Sequence, residues 1–275
     1  RHSFPTRRSS DLTDASTRAT LWTAPDAHPV YDDIWAVGTF GLMWHYTGGK
    51  WTMFSSPTTR DLYGVYGISK NEIWAVGASG NPGTTQGAFL QYNGSSWISI
   101  ITAGYDQFNG VWADNSSGSK LVYACGNGGL LVRYDASQTP PWNVIISNTS
   151  AVLRGIWGTR STTPGTLSST VFAVGNGGII LRIRYGQNPD FLLTVGGFHP
   201  NFQPPELELP ANLRRLSVTL YSGNPNILME CYMAITANTF QFGAAAYLTY
   251  ESSGVSVRGE LSFDALFQFS PFHFE

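Results

Sequence analysis

The stretch Ile34–Gly38 reads IWAVG, and closely similar five-residue phrases follow at three later places. They are IWAVG at Ile73–Gly77, VYACG at Val122–Gly126 and VFAVG at Val171–Gly175, so successive closing glycines are 39, 49 and 49 residues apart. A period of this length, made of short apolar segments and turn residues, is typical of radial or stacked β-repeats. Because one such unit is too small to bury its own apolar face, each unit must pack on its neighbours.

Each phrase lies within a longer repeat of short apolar segments. A segment with small and aromatic residues precedes it, as in Leu62–Gly67, and another follows a glycine turn, as in Leu130–Asp135. Segments of five or six residues suit strands and are too short for helices. The Gly, Asn and Ser residues between them tolerate the positive φ of tight hairpins. The repeat therefore predicts four antiparallel strands per unit, which is the arrangement of a β-propeller blade.

On this interpretation the phrase is the second strand of a blade and is covered on both faces by the adjacent blades. Its aromatic residue would fill the space between blades, where a large ring buries on the order of 150–250 Å². Its closing glycine would let the chain turn toward the third strand. The structural repeat residues predicted in this way are Trp35, Gly38, Trp74, Gly77, Tyr123, Gly126, Phe172 and Gly175 in the phrases, and Trp51, Trp97 and Trp142 at the start of the fourth strands.

The repeats resemble the Trp-Ala-Val-Gly propeller repeats of many uncharacterised bacterial, often exported, proteins over about residues 21–185. The resemblance implies a fold and is nearly silent on function. The Asp-box of sialidase-type propellers is absent, because the matching turns read Gly48-Gly49-Lys50-Trp51 and Gly94-Ser95-Ser96-Trp97. The Gly-His and Trp-Asp pairs of WD40 repeats are absent as well.

The predicted fold class is all-β: a partial propeller of three to four four-stranded blades, followed by a C-terminal antiparallel meander. Residues 1–12 (RHSFPTRRSSDL) resemble a translated sequencing adapter and are expected to be non-native. The propeller fragment is predicted at 20–185, a Pro-rich connector at 186–212 and the meander, truncated, at 213–275. In Val255–Phe269 apolar residues alternate with polar ones, which predicts a sheet with one buried face.

The C-terminal part resembles a bacterial family of β-rich proteins known only as a domain of unknown function. The residues that carry this resemblance are Gly196–Pro200, Ala234–Gly243 and Gly259–Phe272, and it extends over about residues 191–275. The resemblance implies no activity, cofactor or catalytic residue.

Composition narrows the possible functions. Aromatic residues make up 14% of the chain, charged residues only 12%, and the net charge is −2. No electrostatic footprint therefore favours a nucleic-acid partner, and no apolar run of about 18 residues predicts a transmembrane helix. Low charge with many aromatic residues favours an extracellular or cell-surface location. The two cysteines, Cys125 and Cys231, lack CxxC spacing and are expected to be small buried apolar residues.

No catalytic, cofactor-binding or metal-ligating residue is predicted. His45 is expected to have a structural or exposed role on a third strand, and His199 to shape a turn. Glu260 and Asp264 share a strand face at about 13 Å, beyond the roughly 5–9.5 Å window of paired glycosidase carboxylates. Asp32-Asp33 is expected to cap a blade turn, and a calcium role stays open as the alternative.

The function predicted from these observations is a non-catalytic binding or structural module of a large bacterial, exported or surface protein. Propeller loops would recognise an unknown protein or carbohydrate ligand. One alternative is a propeller-borne hydrolase or lyase with its active site at the central channel. A second alternative is a lipid-facing β-sheet or outer-membrane-associated protein, which alternating strands of about ten residues permit.

Overall fold

The computed structural model describes residues 20–23, 33–79, 87–100, 104–115, 120–135, 142–160, 168–186, 189–202, 213–269 and 272–274. The adapter-like residues 1–12 lie outside these ranges. The described part of the chain is all-β, built of antiparallel sheets without an α-helix, which confirms the predicted class. The chain divides into two compact units, residues 1–113 and 114–275.

Three sheets each contain four strands that are consecutive in sequence. The first has the order β1-β2-β3-β4, with β1 Thr20–Thr23, β2 Ile34–Val37, β3 Met43–Thr47 and β4 Lys50–Phe54. The second has the order β5-β6-β7-β8, with β5 Leu62–Ser69, β6 Glu72–Ser79, β7 Gly87–Tyr92 and β8 Trp97–Ser99. The third has the order β12-β11-β10-β9, with β9 Phe108–Asp114, β10 Leu121–Gly126, β11 Leu131–Asp135 and β12 Trp142–Val144.

The fourth sheet has nine strands. It begins as another four-stranded unit, with β13 Leu153–Arg160, β14 Ser168–Gly175, β15 Ile179–Gly186 and β16 Asp190–Val195. It continues with β17 Leu216–Tyr221, β18 Asn226–Thr236, β19 Thr239–Ser252, β20 Val255–Phe269 and β21 Phe272–Phe274. The order is β13-β14-β15-β16-β18-β19-β20-β21, and β17 pairs with β18.

Strand β16 joins the last four-stranded unit to the meander. It lies inside residues 186–212, which the prolines predicted to be a connector. One edge of β16 pairs with β15, and the other pairs with β18 in the register Leu192↔Thr236 to Val195↔Met233. The meander therefore extends the last unit edge to edge as one sheet.

The phrase residues alternate between two neighbouring sheets. Trp35 and Val37 of β2 pack in one core with Ile73 and Ala75 of β6. The second and fourth residues of the first phrase thus meet the first and third residues of the second phrase. The same relation holds in the second unit, where Cys125 of β10 packs in one core with Ala173 of β14. Adjacent repeats within each unit are held together face to face.

The first and fourth repeats each leave one apolar face exposed. In β14, Val171 and Ala173 are buried, whereas Val174 is exposed and Phe172 is only half-buried. Trp157, which lies opposite Phe172 in β13, is 50% exposed. In the first sheet, Trp44 and Met53 are exposed on the face that carries Ala36.

The closing glycine of the phrase does not make the turn, and in the second and fourth phrases it allows close packing. Gly38, Gly126 and Gly175 have φ of −160°, −162° and −156°, an extended backbone that any residue adopts. A Cβ on Gly175 would lie 2.3 Å from the carbonyl oxygen of Val152, and one on Gly77 would lie 1.9 Å from that of Asp61. The predicted reason for these glycines was therefore wrong. The positive φ values come later, in the turns that follow the phrases.

The long strand β20 differs from its prediction. From Val255 to Asp264 both faces are exposed, although the apolar residues do share one face. The expected burial appears only at Ala265 and Leu266.

Candidate functional site

The first phrase places Trp35 at the centre of an aromatic cluster. Trp35 is fully buried, and its ring stacks on His45 at 4.2 Å between centroids with an interplanar angle of 12°. Its ring also lies 4.8 Å from Tyr92 and 5.3 Å from Trp97, both in the second sheet. This cluster is the main aromatic contact between the first two sheets.

A tyrosine–tryptophan pair between the third and fourth strands recurs in three of the sheets, and it was not predicted from the sequence. Each of three third strands carries a tyrosine directly opposite the tryptophan of the fourth strand. The ring centroids are 5.4 Å apart in Tyr46–Trp51, 5.5 Å in Tyr92–Trp97 and 4.9 Å in Tyr134–Trp142. Trp97 is buried, Trp142 is half-buried and Trp51 is exposed. The signal in the sequence was a tyrosine near the end of every third strand, including Tyr185 in β15.

The other phrase aromatics occupy similar settings. Trp74 is fully buried and lies 5.8 Å from Phe89. Tyr123 is fully buried, and its hydroxyl lies 3.2 Å from the Ser169 hydroxyl of β14. Its ring is 6.3 Å from that of Tyr185. Burial raises the pKa of Tyr123 and, together with the neighbouring Tyr123, raises the pKa of Tyr185 to about 12. Both hydroxyls therefore stay neutral at physiological pH.

A polar side chain lies opposite the aromatic residue of every phrase. These four are His45, Gln91, Arg133 and Arg182. Each contacts a carboxylate on its own sheet: Asp33 at 2.9 Å, Glu72 at 3.3 Å, Asp135 at 2.7 Å, and Asp190. Arg182 and Asp135 are buried, and charge pairing of this kind offsets the cost of removing such groups from water.

One of these pairs involves His45 and Asp33, which the sequence analysis had singled out in the first repeat. The carboxylate of Asp33 is engaged by His45, and Asp32 lies outside the described residues. The two cysteines are not joined in a disulfide, and Cys125 is buried whereas Cys231 is partly exposed. Among the described residues, no group of three or more His, Cys, Asp or Glu side chains is arranged to hold a metal ion.

His199 orders the loop after β16. Its backbone N–H donates to Gln241 Oε1 at 3.0 Å, and its Nδ1 accepts from the N–H of Asn201 at 3.1 Å. His199 and Gln241 are both buried. The histidine thus fastens the loop to β19.

A second polar cluster lies on the meander, around Tyr232 of β18. The Arg215 guanidinium carbon lies 3.8 Å from the centre of the Tyr232 ring. Asp264 of β20 lies close to Tyr232 at Gly243, where an added Cβ would lie 2.4 Å from both Asp264 Oδ1 and Tyr232 Cε1. The pKa of Tyr232 is raised, first by burial and then by the neighbouring Asp264 carboxylate.

We expect Asp264→Asn to lower the pKa of Tyr232 toward its ordinary value of 10.0 without reaching it, because burial is the larger cause. A raised pKa in the folded state contributes stability below pH 10 that is lost as pH rises further, so the variant should lose less stability above pH 10. NMR titration of ¹³Cζ-labelled tyrosine measures the pKa directly. Glu260→Gln on the same strand face is the control and should leave Tyr232 unchanged. An unchanged Tyr232 pKa in Asp264→Asn would contradict this account.

The strands of the fourth sheet also carry the similarity to known proteins. A family of unknown function, DUF6603, matches residues 167–275. The match confirms the resemblance to a domain of unknown function and starts earlier than the expected residue 191. The DUF6603 region begins one residue before β14, so it includes three strands of the last four-stranded unit together with the whole meander. No curated protein matches the chain. Within the described ranges, no helix is long and apolar enough to cross a membrane.

Proposed function

We propose that this chain is a non-catalytic binding or structural module of a large bacterial, exported or surface protein. In this proposal the four-stranded units are blades of a propeller, and their loops recognise a protein or a carbohydrate. The observation that carries it is the alternation within the phrase: Trp35 and Val37 pack in one core with Ile73 and Ala75, and in the other unit Cys125 packs in one core with Ala173. Stacking of this kind builds a rigid frame that presents loops.

One exposed loop supports a recognition role. Phe40 follows the first phrase and has φ 54°, where the third and fourth repeats have Gly128 at 63° and Gly177 at 70°. Its side chain is 79% exposed, and its N–H donates to Asp61 Oδ1 at 2.8 Å. A bulky residue in the left-handed region costs roughly 1–2 kcal/mol. Strain at an exposed aromatic side chain favours a functional role over a structural one.

We expect Phe40→Gly to raise the free energy of unfolding by about 1 kcal/mol, because glycine adopts positive φ without strain, and to abolish ligand binding. Phe40→Ala is the matched control, since it removes the ring but keeps the strain. It should lose binding with no gain in stability. Urea denaturation measures the first effect.

The binding test uses printed glycan and peptide arrays probed with the full chain and both variants. The proposal expects a reproducible set of bound glycans or peptides that is lost in Phe40→Gly and Phe40→Ala alike. If both variants bind as the parent chain does, the Phe40 loop is not the recognition site. If the parent chain binds nothing above background, the recognition role itself fails.

A further inference from the structure

The meander has one apolar face that is exposed. Residues paired directly across antiparallel strands have their side chains on the same face, and the register Met229↔Ala246↔Leu261 runs across β18, β19 and β20. The apolar face of the meander is defined here as the face on which these three residues lie. Its exposed members on β19 and β20 include Leu248, Tyr250, Val255, Val257, Leu261 and Phe263.

This face continues an interface that is buried elsewhere in the same sheet. Leu193 of β16, paired with Ile235 of β18, lies on the same side and packs in one core with Cys125 and Leu131 of the third sheet. Farther along, on β20, none of the described residues of this unit forms such a layer over the same face, and Leu261 is 77% exposed. The sheet thus has a face suited to a second β-layer, and only one end of it is covered within this unit.

The size of the face fits a stable interface. Strands about 4.8 Å apart that rise about 3.4 Å per residue give β17–β20 a footprint of roughly 600 Å². A corrugated face of that footprint approaches the 800 Å² or so that each partner of a standard interface buries. It also matches the largest apolar patches of about 300–600 Å² found on monomers, which are often functional.

The chemistry of the face is self-complementary. On β18–β20 it contains no Asp, Glu, Lys or Arg, so a partner needs no opposite charge and two copies do not repel. Protruding Leu261 and Phe263 lie directly opposite Ala246 and Ala244. Ridges therefore stand beside hollows on one surface, which is the condition for an isologous contact. The opposite face carries Glu230, Glu260 and Asp264, which disfavours the approach of this sheet to an anionic membrane.

We propose that the apolar face of the meander docks on the same face of a second copy of this chain and forms a two-layered β-sandwich. The two sheets lie about 10 Å apart in such packing. Leu261 and Phe263 of one copy fill the hollows above Ala244 and Ala246 of the other. This inference rests on the meander alone and does not depend on the recognition role of the loops.

The test measures the mass of the full 275-residue chain by sedimentation equilibrium over a wide concentration range. The parent chain should be a dimer. Leu261→Lys should weaken the dimer roughly 1000-fold, because the substitution removes a central contact and occurs twice in an isologous interface. The matched control is Ser262→Lys, which places the same charge on the other face at the next position, and it should leave the dimer intact. Circular dichroism checks that both variants keep their β-structure.

Labelling of Cys231 gives a second readout, which can be measured on the parent chain itself and so does not depend on whether a variant folds. It is free, partly exposed and directly opposite Ala244 on the apolar face. Its labelling by a maleimide should slow as the parent chain dimerises and should be fast at all concentrations in Leu261→Lys. A monomeric parent chain, or a dimer that survives Leu261→Lys, overturns the proposal. A monomeric chain that binds phosphatidylcholine–phosphatidylglycerol vesicles through Leu261 overturns it in favour of a lipid surface.

Discussion

Trp35→Ala should lower the free energy of unfolding by about 4 kcal/mol, the range observed when a buried tryptophan or phenylalanine is truncated. Trp35 is fully buried and is in ring contact with His45, Phe54, Tyr92 and Trp97. Removing the indole leaves a cavity that is shared by two sheets, which neither sheet can close alone. Urea denaturation followed by circular dichroism measures the loss.

The control for this prediction is Trp51→Ala in the same sheet. Trp51 is 45% exposed and has its ring against Tyr46 at 5.4 Å. Its truncation should cost about 1 kcal/mol or less, as is usual for surface positions. Trp35→Phe should fall between the two, because a smaller ring still fills part of the space. Equal losses for Trp35→Ala and Trp51→Ala would show that the first two sheets do not pack through the phrase.

The phrase made the strands predictable, but it did not determine their surroundings. Ile34–Gly38 and Ile73–Gly77 have the same five letters. In the second copy Ile73 and Ala75 are fully buried, whereas Ile34 and Ala36 are only half-buried. Identical local sequences thus have different exposure, because burial depends on whether a neighbouring repeat covers that face. No local pattern contains that information.

The meander shows the same limit in a different form. Alternation along Val255–Phe269 correctly indicated which side chains share a face, since the period of a strand is fixed at two. It also predicted that this face is buried, and that is wrong for most of the strand, because the face is exposed from Val255 to Phe263. The prolines of residues 186–212 led to the prediction of a connector where the structure has β16. The apolar run Phe191–Val195 in that segment suits a strand.

The aromatic and ionic contacts of the repeats could be predicted only if the strand register were already known. Trp97 and Trp142 are the first residues of β8 and β12, and Trp51 is the second residue of β4. Their partners Tyr46, Tyr92 and Tyr134 were not anticipated. A cross-strand partner is known only when the turn length fixes the register. The turns between third and fourth strands differ in length among the repeats. The sequence spacing of the paired tyrosine and tryptophan is not the same in all three repeats, although the pairing itself recurs.

Gly77→Ala should destabilise the first unit by about 3 kcal/mol or prevent it from folding. The new Cβ would lie 1.9 Å from the backbone oxygen of Asp61 and 2.8 Å from Leu62 Cα. These are backbone atoms, so no side-chain rotation relieves the overlap, and overpacking of this kind costs 1–3 kcal/mol or occasionally more. The backbone movement would also disturb the hydrogen bond that the N–H of Ala78 donates to the Asp61 carbonyl at 2.8 Å. Thermal and urea denaturation measure the loss.

Gly155→Ala separates this steric effect from the general effect of replacing glycine in a strand. Gly155 lies in β13, and the nearest atom to an added Cβ is Val174 Cγ2 at 3.5 Å, an ordinary contact. Its substitution should be neutral or stabilise by about 0.5 kcal/mol, because alanine reduces the freedom of the unfolded chain. Similar behaviour of the two variants would mean that the connector before β5 does not press on the end of the phrase. A large loss confined to Gly77→Ala would establish that the phrase ends in glycine because the chain entering β5 of the same sheet passes directly over it.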